Sequence, residues 1–143
     1  MSSISVKLLT VSHLFLYRVT CGLLGNRIAG MPVMLLTTTG AKSGEPRTIP
    51  ITYIKNGDDY ILTASNGGSD KNPSWVLNLK KNPIATIRIR GLRQKAVASQ
   101  VDKTMKTLLW AKLISSAPMY TGYQERTARD IPMLALRVQA GRE

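Results

Sequence analysis

The sequence predicts an α+β domain built on an antiparallel sheet or small barrel. Six runs rich in apolar and β-branched residues, most of them joined by short turns, read as strands. Helical spacing is confined to an N-terminal segment, a short middle segment and one nearer the C-terminus, without the regular strand–helix alternation of a parallel sheet. A chain of 143 residues with 43% hydrophobic content can bury one core, so residues 1–143 are expected to form a single domain.

From Ser5 to Leu24, Val6, Leu8, Leu9, Val11, Leu14, Phe15, Leu16, Val19, Leu23 and Leu24 recur at mostly helical spacing, with Lys7, His13, Tyr17 and Arg18 between them. The spacing predicts an amphipathic helix over about 4–25. The segment lacks the unbroken apolar run of a membrane span and the cleavage site of a signal peptide. Such a helix can lie on the protein's own sheet, or touch an anionic bilayer with its basic residues. His13 reads as a packed or surface side chain. Cys21, the single cysteine, reads as a buried structural thiol and suits a reducing cytoplasm.

Val33 to Thr39 reads as the first strand, stopped by Gly40, and Thr48 to Lys55 as the second, ending at Asn56-Gly57, a favoured hairpin dipeptide. Pro50 cannot donate to a ladder, which puts the second strand at an edge or gives it a bulge. Tyr60 to Ala64 follows, then the polar loop SNGGSDKNP and a short helix opened by Pro73 and carrying Trp75, Leu77 and Leu79. Ile84 to Ile89 and Gln94 to Gln100 form two strands about Arg90-Gly91. Asp102 is placed to cap a helix reaching about Ile114. Ser115 to Asp130 has no clear period, and Ile131 to Val138 reads as the last strand.

Twenty Lys and Arg against eight Asp and Glu give a formal charge of +12, which points to an anionic partner: nucleic acid, an acidic membrane surface or a multiply charged small molecule. The segment TTTGAKSGEPR, Thr37 to Arg47, concentrates hydroxyls, glycines, Lys42 and Arg47 in a turn between strands, a composition suited to an anion such as phosphate and equally found in a solvated basic hairpin tip. It is not a nucleoside-triphosphate P-loop, because the glycine–lysine spacing is wrong and a strand follows where a helix is required.

Three strings occur in order: LLTTTGAKSGEPR (Leu35 to Arg47), ASNGGSDKNPSWVLNLKKNP (Ala64 to Pro83) and MYTGYQERTARDIP (Met119 to Pro132). Together they resemble the deazaflavin (F420)-dependent nitroreductase and quinone reductase family, from near Met31 to the last strand. The resemblance implies a split β-barrel, antiparallel and six-stranded or so, with flanking helices, of the flavin-reductase-like kind. It also implies coenzyme F420, an 8-hydroxy-5-deazaflavin, as cofactor, with FMN the alternative.

Carried over by residue, the resemblance puts the coenzyme's phosphate and acidic tail against Ala41, Lys42, Ser43 and Arg47. Thr48, Ile49, Pro50, Ile51 and Thr52 would run along the ring system, and Thr63, Ala64, Ser65 and Asn66 would close around it. Ser74, Trp75, Val76, Leu77 and Asn78 on the short helix would wall the site, with Trp75 covering an apolar ring. Asn66 departs from the family pattern, which often has lysine there. Lys71, Lys80 and Lys81 read as solvated charges that could also extend a path for the acidic tail. Tyr120 and Tyr123, three apart and so on one side of any helical turn, would face the substrate; Tyr120 would also touch the coenzyme.

The activity implied is hydride transfer from reduced F420 to a quinone, nitroaromatic or activated enone, with Tyr120, Tyr123 or Ser65 as the catalytic donors to the acceptor oxygen. A non-catalytic flavin- or lipid-binding protein on the same barrel is the alternative. No paired carboxylates, metal-ligand cluster or triad is visible in the sequence, so metal and hydrolytic mechanisms are not expected. Nucleic acid is not expected either, since IRIRGLRQK, Ile87 to Lys95, has no interleaved aromatic residue on which bases could stack. The partner expected is a small-molecule electron acceptor, and the location the cytoplasm, including the inner face of the membrane if the N-terminal helix lies there.

Overall fold

The computed structural model describes residues 27, 28 and 30–139, and the expected N-terminal helix about 4–25, with His13 and Cys21, lies outside them. The order is β1 (Arg27–Ile28), β2 (Met31–Thr39), β3 (Pro46–Thr52), β4 (Ile54–Asn56), β5 (Asp59–Thr63), a 3₁₀ turn (Asn66–Gly68), α1 (Ser74–Lys81), β6 (Ile84–Ile89), β7 (Leu92–Gln100), α2 (Lys103–Ser116), α3 (Met119–Glu125) and β8 (Met133–Val138).

Among the described residues every strand pairing is antiparallel. Ladders join β3–β2–β6–β7–β8–β5–β4, and β3 and β4 are successive parts of one stretch of chain, so the sheet curls round on itself. With 46–56 taken as one strand and the two-residue β1 set aside, six strands make the circuit, as expected for a split barrel.

The expected strand Thr48 to Lys55 is thus broken at Tyr53. The Tyr53 N–H donates to the Pro32 carbonyl at 3.1 Å, and the chain there exchanges β2 for β5 as its partner. β3 pairs with β2 alone, so Pro50, opposite Leu35, sits on a one-sided strand where its missing N–H interrupts no ladder, as its chemistry requires. The following turn is shifted by one residue from the expected Asn56-Gly57. Asn56 pairs with Asp59, leaving Gly57-Asp58 at the centre with φ 60° at Gly57, a value glycine takes without steric cost.

Two cores flank the sheet. Inside the curl, Met34, Leu36, Leu62, Ile87, Leu134 and Leu136 meet Trp75, Val76 and Leu79 of α1. Outside, Ile61 and Met133 meet Leu109 and Leu113 of α2 and Tyr120 of α3. Neighbours in sequence such as Ile61–Leu62 and Met133–Leu134 point to opposite faces, so both faces of these strands are covered and their sequences read as continuous apolar runs. Each buried side chain of this size contributes about 1.5–3 kcal/mol.

Asp102 caps α2, its Oδ1 accepting from the Met105 N–H at 2.8 Å. The stretch Ser115 to Asp130, without visible period, contains α3. β8 begins at Met133 instead of Ile131: beyond the last ladder pair, Thr63 with Met133, the Pro132 carbonyl still accepts from the Ala64 N–H at 2.9 Å, but Pro132 has no N–H to return the second bond.

Candidate functional site

The free edge of β3 forms one side of a cleft of about 860 Å³. Ile49, Pro50, Ile51 and Thr52 line that side; Thr63 at the end of β5 and the loop 65–72 line another; Pro73, Ser74 and Trp75 close one end, and Tyr120 reaches in from α3. The sheet leaves this edge open because its chain switches partners at Tyr53. Ile49 and Ile51 pack against the inner core along with Trp75, so the apolar surface offered to a ligand is continuous with a rigid interior.

The Tyr120 hydroxyl shares a hydrogen bond of 3.1 Å with Thr52 Oγ1. Its ring lies edge-on to Tyr123, centroids 5.2 Å apart, and edge-on to Trp110 at 6.5 Å. Burial pushes the Tyr120 hydroxyl above the ordinary tyrosine pKa, with Thr52 acting against this and the neighbouring Tyr123 adding to it. Tyr120 is therefore a neutral donor at physiological pH. When Thr52 donates within the pair, the Tyr120 proton is free for a third oxygen in the cleft.

Thus Ile49, Pro50, Ile51, Thr52, Thr63, Ser65, Asn66, Ser74, Trp75 and Tyr120 of the expected residues come together. Others do not. Ala64 and Val76 are fully buried, their side chains in the inner core, and Leu77, 57% exposed, is not among the residues lining the cleft. Helical geometry accounts for the last two, since α1 turns Trp75, Val76 and Leu79 toward the core and leaves Leu77 outward. Tyr123 packs against the outer core and Tyr120 without lining the cleft. Thr48 shares a 2.8 Å hydrogen bond with Thr37 and borders a separate cavity of about 250 Å³ with Thr86, Arg88 and Arg93.

The basic turn lies off the cleft. Arg47, Ile49 and Ile51 share one face of β3, which puts Arg47 about 7 Å along the strand from Ile49. Asn78 is buried and ties the turn to α1, its Nδ2 donating to Thr38 Oγ1 at 3.0 Å and its Oδ1 accepting from the Ala41 N–H at 2.9 Å. Lys81 Nζ donates to the Ala41 carbonyl at 2.6 Å, and Arg47 Nη2 to Ser43 Oγ at 3.2 Å. Asn78, Ala41 and Ser43 therefore hold the turn's shape, while Lys42 and Arg47 present charge at the surface.

Gly67, Ser69 and Asn72, which the sequence did not single out, also line the cleft, together with Lys71, read as a solvated charge that could extend the path for the acidic tail, and Pro73, read as the opening of the short helix. The signal for the first three was their place in one Gly- and Asn-rich loop with Asn66, whose φ of 46° suits asparagine better than lysine. Among the described residues no group of three His, Cys, Asp or Glu is placed to hold a metal.

The family model of F420H(2)-dependent quinone reductase matches residues 10–138. An F420H(2)-dependent quinone reductase of Mycobacterium tuberculosis is 41% identical over 137 residues, covering 93% of this chain and 91% of that one. The solved structure of an F420-H2 dependent reductase, FDR-A, is 33% identical with a TM-score of 0.67, covering 74% of this chain and 94% of its own. HutZ, the heme storage protein of Vibrio cholerae, shares only the fold at 17% identity, with a TM-score of 0.57 over 76% of this chain and 82% of its own.

Proposed function

The chain belongs to the F420H(2)-dependent quinone reductase family, and on that premise we propose that its oxidoreductase chemistry takes place in the cleft beside the free edge of β3. The residues fit the coenzyme's two chemical parts. Ile49, Ile51 and Trp75 offer apolar and aromatic surface to a planar ring, and the basic turn lies farther along β3, within reach of the phosphate and acidic tail of a ligand extended along that strand. Reduced F420, when bound, supplies a hydride, two electrons in one step, to the quinone.

The chain's own residues orient and protonate. Ile49 and Ile51, with the buried Trp75 beside them in the same core, give the ring one apolar wall and exclude water on that side. Lys42 and Arg47 attract the polyanionic coenzyme. Tyr120 donates to the quinone oxygen as negative charge develops there, and Ser65, which lines the same cleft, is the second donor. The single observation that carries this reading is the Tyr120–Thr52 pair, a neutral hydroxyl donor set at 3.1 Å on the lip of an apolar cleft. Tyr123 supports Tyr120 edge-on instead of acting directly. Nitroaromatics and activated enones, also planar electrophiles, are further acceptors for the same cleft.

Parallel spectral titrations with F420, FMN and FAD test the cofactor: F420 should bind most tightly, and equal or tighter binding of FMN would overturn the assignment. Peripheral contact with an anionic bilayer through 4–25 belongs to the same proposal, motivated by the absence of any acidic residue before Glu45. No helix among the described residues is long and apolar enough to cross a membrane. Full-length protein that does not sediment with anionic vesicles at low salt would remove the idea.

A further inference from the structure

Building on that proposed function, we infer that Arg129 is a positioning residue, holding one wall of the cleft, the loop 65–72, in register with the helix that carries Tyr120. Arg129 follows α3 in the chain and is half-buried. Its guanidinium reaches three points of the loop: Nη2 donates to the Ser65 carbonyl, Nε to the Ser69 carbonyl and Nη1 to Asn72 Oδ1, each at 2.8 Å. All three of these residues line the cleft. A planar fork of five donors in fixed directions is suited to this task, because satisfying three separated acceptors at once admits only one loop shape.

The loop needs such support. Asn66, Gly67 and Gly68 have φ of 46°, 64° and 84°, a run of residues whose backbone freedom leaves the loop many other shapes, so outside contacts must select this one. Those contacts come from the segment around Arg129. Thr127 Oγ1 donates to Asp70 Oδ1 at 3.0 Å, and Arg126 Nη1 to the Gly67 carbonyl at 3.4 Å. Gly68 lies so close to α3 that a Cβ there would stand 2.7 Å from the Tyr123 carbonyl oxygen. Loop and helix therefore meet backbone to backbone, with Arg129 as the clasp.

Ser65 and Tyr120 face the cleft from these two elements, so the clasp fixes the span between the two hydroxyls. The basic turn sits on other elements and does not touch Arg129. Loosening the clasp should thus misplace the reacting partners while leaving the anchoring of the acidic tail largely intact.

The test compares wild type with Arg129→Met, which keeps length and removes the donors, and Arg129→Lys, which keeps charge and cannot reach all three acceptors. Amide hydrogen exchange is read at Gly68 and Ser69, whose N–H groups bond the Ser65 and Asn66 carbonyls at 2.9 and 3.1 Å. In Arg129→Met both amides should exchange about tenfold faster or more. Turnover of menadione should fall about 10- to 100-fold, while the dissociation constant for F420 changes less than about threefold. Arg129→Lys should recover part of both effects, and it takes over the comparison if Arg129→Met does not fold. Unchanged exchange, unchanged kcat, or equal losses in coenzyme affinity and turnover would each overturn the inference. A wild-type protein that oxidises no reduced F420 would instead sink the proposed function, a failure separate from any of these.

Discussion

Thr52 Oγ1 and Tyr120 Oη lie 3.1 Å apart, joining the one-sided strand β3 to α3 across 68 positions of sequence. The contact aims a buried phenol into the cleft that β3 leaves open. The hydroxyl, not the ring, is the part addressed to an acceptor.

Replacing Tyr120 with Phe keeps the aromatic packing against Trp110 and Tyr123 and removes that hydroxyl. Turnover of menadione should fall about 100-fold, with F420 affinity nearly constant, because the lost interaction is made mainly in the transition state. Tyr123→Phe should cost far less, since Tyr123 does not line the cleft. Steady-state kinetics beside a coenzyme titration separate the two effects, and equal losses from both variants would contradict the assignment of roles.

The raised pKa of Tyr120 sets a pH dependence. Burial first, with Tyr123 adding and Thr52 opposing, holds the folded-state value above the unfolded ~10. The group's contribution to stability is then fully present below ~10 and lost as pH rises through the folded value. Between pH 7 and about 9.5, Tyr120 should ionise less than a free tyrosine in an ultraviolet titration of wild type against Tyr120→Phe. Tyrosinate absorbance lost in the variant that equals or exceeds that of a free tyrosine in this window would refute the desolvated environment.

Lys42 and Arg47 are exposed, so screening limits what each is worth. Lys42→Ala and Arg47→Ala should each weaken F420 about three- to tenfold, with the loss shrinking as salt is raised. FMN, which lacks the acidic tail, should be affected less. Isothermal titration at two ionic strengths checks this, and a salt-independent loss would point to a steric cause.

Asn78 acts through shape. Asn78→Ala would leave the buried Thr38 hydroxyl and the Ala41 N–H without their partner, costing about 1–3 kcal/mol of stability. Chemical denaturation should register that loss, together with weaker F420 binding through the unsupported turn. Full stability in this variant would show the tether to be dispensable.

Much of the fold was legible because strand runs, the Asp102 cap and the Arg90-Gly91 turn are local signals. Arg90 and Gly91 take φ of 50° and 81° between the paired residues Ile89 and Leu92, as a two-residue hairpin demands. The break at Tyr53 was not legible, since it arises from a distant partner exchange and the local sequence reads as one continuous strand. α3 was hidden by its length of seven residues, too short to show a period. In the candidate site, Ile49, Ile51, Trp75 and Tyr120, named from their residue types and the resemblance, line one cleft. Inward or outward direction decided Val76, Leu77 and Tyr123, and only the packed helices set that. Arg129 reads in sequence as one more cation of a basic chain; its role depends on three acceptors some 57 to 64 positions away.

The most direct measurement is the oxidation of reduced F420 by menadione, followed by absorbance with and without the protein. Saturable oxidation well above the uncatalysed rate, diminished in Tyr120→Phe, is the predicted result. Protein that binds reduced F420 yet oxidises it no faster than solution, across quinones, nitroaromatics and enones alike, would contradict the account and leave a ligand-binding barrel in its place.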